Sequence, residues 1–147
     1  MGTTTNNHIA AVNSELGKLK AAITTVNSSD SQFTATWHSM MAAYDKPQGG
    51  KSASVGFRAK LLTEATNHDT ALKQAQTHYA DTETAVTLMH NYLVQKDAST
   101  INIFKKKSLG KANRFVTNVK AALKLEEHIL TTAELTPAFN IGRGIYY

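Results

Sequence analysis

An all-α fold is predicted for this 147-residue chain. Apolar residues recur at alternating intervals of three and four along most of its length, the period of one helix face. Only two prolines and eight glycines interrupt that pattern. Hydrophobic residues make up 41% of the chain, enough for a folded core. The expectation is one domain over 1–147, with four main helices in an up-down bundle or an elongated helical array, followed by an apolar C-terminal tail.

The first helix is read from Ile9, Val12, Leu16, Leu19, Ile23 and Val26, spaced 3, 4, 3, 4, 3. Asn6 or Asn7 is expected to cap it, and Asn27-Ser28-Ser29-Asp30 to end it. Ser29 and Gln32 then match a capping box for a second helix over 30–45, with Phe33, Trp37, Met40, Met41 and Tyr44 on one face. That stripe suits a core or subunit contact better than a ligand box. Pro47-Gln48-Gly49-Gly50 is a turn.

The third helix, 53–96, carries Phe57, Leu61, Ala65, His68, Leu72, Ala75, Tyr79, Thr82, Val86, Met89 and Leu93 on one stripe. Unbroken, it would run about 65 Å at 1.5 Å per residue. Either it breaks near Asn67-His68-Asp69 or the protein is elongated. Residues 97–107 are read as a connector in which Ile101, Ile103 and Phe104 form a short strand or a helical turn. The fourth helix starts at Ser108 and ends before Pro137, with Leu109, Ala112, Val116, Val119 and Leu123 leading its stripe.

Charge divides the chain. Residues 1–104 hold eight basic and eight acidic side chains, whereas 105–147 hold eight basic against three acidic, so the whole net charge of +5 lies in the last 43 residues. Lys105, Lys106, Lys107, Lys111, Arg114, Lys120 and Lys124 form a window without an acid. Cations repeated on one helix face attract polyanions, and these seven are the candidate nucleic-acid-binding residues. No base-reading motif accompanies them, so contact would be with phosphates and not sequence-specific. An acidic protein or an anionic membrane surface is the other partner class. The tail, with Phe139, Ile141, Arg143, Ile145, Tyr146 and Tyr147, is expected to dock on its own bundle or on a neighbouring subunit.

Catalytic chemistry finds little footing. Cysteine is absent, which excludes disulfides and thiolate ligands or nucleophiles. None of the six histidines pairs with another at i, i+4, and no E-x-x-H pair repeats, so no metal site, cofactor or catalytic residue is expected. His68 reads as a core histidine. Gly50-Lys51-Ser52 fits part of a phosphate-cradling loop, but Asp45 stands at its first glycine position and no strand precedes it, so it reads as a turn that caps a helix. No 18-residue apolar run and no signal-like start is visible, which favours a virion or cytoplasmic location over secretion.

Trp37 ahead of a turn, with Tyr79-Ala80-Asp81-Thr82-Glu83 fitting Y-x-x-x-D/E, resembles small secreted helical-hairpin proteins of the tryptophan-X-glycine type. Ser39 stands where that family has glycine. The resemblance implies an interaction protein that works as a helical-hairpin partner. The leading expectation is different: a non-enzymatic subunit that assembles with copies of itself and turns a basic helix toward a polyanion, with nucleic acid favoured, as in a helical virion or nucleoprotein coat.

Overall fold

The apolar stripe of the N-terminal region does not stop at Val26. It passes through Asp30 to Phe33, Trp37, Met40 and Tyr44 at the same intervals of three and four, and the backbone follows it without a break. The structure, a computed structural model, describes the backbone of residues 3–44 and 50–134 and the side chains of 4–44, 56–103, 106–107 and 109–124. That backbone forms three α-helices: α1 (Thr3–Tyr44), α2 (Gly50–Ser99) and α3 (Ile103–Glu134). No strand occurs among the described residues. The all-α class holds, but the count is three helices and not four.

The reason lies at Ser29. Its hydroxyl donates to Val26 O at 2.9 Å, the carbonyl of the preceding turn. A capping serine would instead accept from an amide further on. The back-bond satisfies the buried hydroxyl within the helix and leaves the backbone ladder intact. Asn6 and Asn7 also lie inside α1, which begins upstream of both.

α2 likewise runs unbroken through Asn67-His68-Asp69-Thr70. His68 is fully buried there, and Leu61, Ala65, Leu72 and Ala75 are buried on either side of it. Packing of this stripe outweighs the weak local preference of Asn and Asp for turns.

Only Thr100–Asn102 separates α2 from α3, so most of the expected connector is helical. Ser99 Oγ and Thr100 Oγ1 donate to Lys96 O at 3.1 and 2.7 Å, supplying side-chain partners to a carbonyl in the last turn of α2. The amide of Lys106 donates to Asn102 O at 3.0 Å, the first bond of α3. Asn102 thus occupies the cap position that its residue type favours.

The chain divides into two compact units. The first comprises residues 1–21 and 76–129. Its core takes Val12 and Leu19 from α1, Val86, Met89 and Leu93 from α2, and Leu109, Ala112, Val116, Val119 and Leu123 from α3. Each Leu- or Val-sized side chain removed from water stabilises by about 1.5–3 kcal/mol. At one end Thr5 Oγ1 donates to the Tyr92 hydroxyl at 3.5 Å, and the His8 ring stacks on Tyr92 with centroids 4.9 Å apart.

Among the described residues, the second unit comprises 22–44, 50–75 and 130–134. Phe33, Met40, Leu61 and Ala65 form its core, with Trp37 and Phe57 packed against them. Thr36 Oγ1 donates to Glu64 Oε1 at 2.9 Å, tying α1 to α2, and Lys60 approaches the same oxygen at 4.0 Å. The aromatic stripe is therefore largely core, although Met41 and Tyr44 are exposed.

Candidate polyanion-binding surface

The basic window lies on α3, which begins five residues earlier than Ser108. Lys105, Lys106 and Lys107 therefore fall in its first turns and not in a connector. A helix start carries about half a unit of positive charge from its aligned peptide dipoles and unpaired amides. α3 has no acid in its first turn to offset this. The lysines add to that potential, an arrangement unfavourable for the helix alone and favourable for an incoming anion.

Further along, Leu109, Ala112, Val116, Val119 and Leu123 define the buried face. At 3.6 residues per turn, Lys107 and Arg114 lie opposite that face, and Lys111 lies next to them on the flank away from Lys106 and Lys124. Lys106, Lys120 and Lys124 lie along one flank of it. All six are exposed, and among the described residues none forms an ion pair. Lys105 lies in the helix, but its side chain is outside the described residues.

The two stripes differ in surroundings. Lys120 and Lys124 border a groove of about 270 Å³, shared with Tyr79, Glu83, Val86 and Thr87 of α2 and with Leu123. The Glu83 carboxylate partly offsets their charge. The outer stripe of Lys107, Lys111 and Arg114 forms no ion pair with a described acid and does not border that groove, so it is open to an incoming anion.

Large apolar side chains are exposed in the same unit: Leu88, Val94, Ile101 and Ile103. Ile101 is 96% exposed in the α2–α3 loop, next to the start of the basic helix. The candidate subunit-contact residues Phe139, Ile141, Arg143, Ile145, Tyr146 and Tyr147 lie outside the described residues.

Other sequence candidates find their places. Gly50 opens α2, while the side chains of Lys51 and Ser52 are outside the described residues. Tyr79 and Glu83 lie within α2, one turn apart. His38 is exposed, and His78 and His90 are half-buried. One convergence escaped the sequence reading: Glu15 of α1 meets His78 and Asp81 of α2. Its only sequence trace is the i, i+3 spacing of His78 and Asp81, since Glu15 is 63 positions away from His78.

No helix among the described residues is long and apolar enough to cross a membrane. The chain matches no protein-family model, no curated protein and no solved structure.

Proposed function

We propose that this protein is a non-enzymatic structural subunit that assembles with copies of itself and binds a polyanion, nucleic acid foremost, through α3. The observation that carries this reading is the pair of exposed cationic stripes on one helix, with no ion pair to a described acid. Each stripe repeats at intervals that place cations along a line, as contact with successive phosphates requires. The exposed apolar side chains of the same unit support the self-association half.

Binding would be governed by counterion release. If all seven basic residues of the window reach duplex phosphates, log affinity falls with log salt at a slope of about −6. The triple variant Lys107→Gln, Lys111→Gln, Arg114→Gln should reduce the slope by about 3 in magnitude. A second triple variant, Lys18→Gln, Lys60→Gln, Lys96→Gln, carries the same net charge and should leave the slope nearly unchanged. Fluorescence anisotropy with labelled duplex across a salt series reads both. Equal losses in the two variants would reduce the effect to net charge, and absence of binding at low ionic strength would remove the nucleic-acid reading. Tighter binding to anionic lipid vesicles than to nucleic acid would transfer the site to the other partner class.

A further inference from the structure

Glu15 projects from α1 toward α2, where His78 and Asp81 stand one turn apart. One donor atom from each of the three lies within 4.8 Å of the other two. We propose that these residues form a binding site for a divalent transition-metal ion, with zinc the best chemical fit, and that the ion ties α1 to α2 inside the first unit.

Geometry is the first support. Three atoms within 4.8 Å of one another enclose a point no more than about 2.8 Å from each. Zinc holds imidazole nitrogen and carboxylate oxygen at about 2.0–2.2 Å, so each side chain closes by no more than about 0.8 Å. Rotation about side-chain bonds covers that distance without moving either helix.

The second support is independent of the first. Glu15 Oε2 and His78 Nδ1 are both buried and have no hydrogen-bond partner. A buried acceptor left without a donor is costly, and metal ligation satisfies such lone pairs. Lys18 Nζ occupies only the other Glu15 oxygen, Oε1, at 3.3 Å, and the lysine side chain is 55% exposed. Oε2 therefore remains available.

Donor chemistry selects the ion. One imidazole with two carboxylates suits zinc and its neighbours in the first transition row, whereas calcium and magnesium call for all-oxygen shells. Two carboxylates also balance the charge of a divalent cation. Asp81 is exposed, so an ion has a route in and water can complete the shell. The site shares no residue with the basic stripes or the groove that Lys120 and Lys124 border, and the inference stands whether or not α3 binds a polyanion.

The full chain titrated with zinc chloride by calorimetry should bind one equivalent, and cobalt should give a visible absorption band at the same stoichiometry. His78→Gln and Asp81→Asn should each weaken binding at least tenfold. His38→Gln, which alters an exposed histidine outside the cluster, should leave binding unchanged. Zinc should raise the melting temperature of the unmodified protein, chelator should reverse the rise, and Glu15→Gln should abolish it. Because Asp81 is exposed, Asp81→Asn tests the site without disturbing the core. Unaltered affinity in the His78 and Asp81 variants, or no binding at micromolar zinc, would overturn the site.

Discussion

Threonine is a modest helix former because its branched side chain is restrained against the preceding turn. Yet Thr66, Thr82, Thr84 and Thr117 all sit within helices. Each hydroxyl donates to the carbonyl four residues earlier, at 2.8–3.1 Å. This local bond lets Thr82 be fully buried in the stripe of α2 without a polar partner from another helix. Glycine has no such compensation. Gly17 lies mid-helix and exposed, and an added Cβ would meet nothing within 4 Å. Gly17→Ala should therefore stabilise by about 0.5–1 kcal/mol, since alanine has less backbone freedom to lose on folding. A rise in the urea midpoint at unchanged slope is the expected readout; a fall would place a neighbour against that surface.

The helices themselves are decided by continuity of the apolar stripe more than by local punctuation. Asn27-Ser28-Ser29-Asp30 looks like a stop, but Val26 and Phe33 on either side are fully buried and hold the segment helical. The structure does record a local conflict there, because Asp30 Oδ1 is buried without a partner. Ser29→Ala separates the two readings of this segment. Were Ser29 a cap, its loss would cost about 1 kcal/mol. In a continuous helix, alanine is neutral or stabilising by a few tenths of a kcal/mol, because it is the better helix former and Val26 O keeps its backbone donor. Thermal unfolding of the single variant distinguishes them.

For the molecule as a whole, charge and exposed apolar surface coincide in the first unit. Leu88, Val94, Ile101 and Ile103 are 55–96% exposed. Removing such side chains from water is the driving force available for self-association. Sedimentation velocity should show the sedimentation coefficient rising with protein concentration. The double variant Ile101→Ser, Ile103→Ser should weaken association at least roughly tenfold, equivalent to ~1.4 kcal/mol. A monomer at high concentration would remove the assembly half of the proposal while leaving polyanion binding to be judged by its salt dependence.

Periodicity and charge were written in the chain itself. The helical class, the buried stripes of α1, α2 and α3, the burial of His68 and the grouping of cations in 105–124 all follow from residue order, because one helix face and one charge window are local properties. The helix count was legible in part, since the three–four spacing already ran through Asp30, but turn-like residues masked it. Tertiary packing alone decided that Ser29 bonds backward within a continuous helix and that Glu15 meets His78 and Asp81. Those outcomes depend on which faces bury against each other. That balance of desolvation over long sequence separations has no signature in any single window of residues.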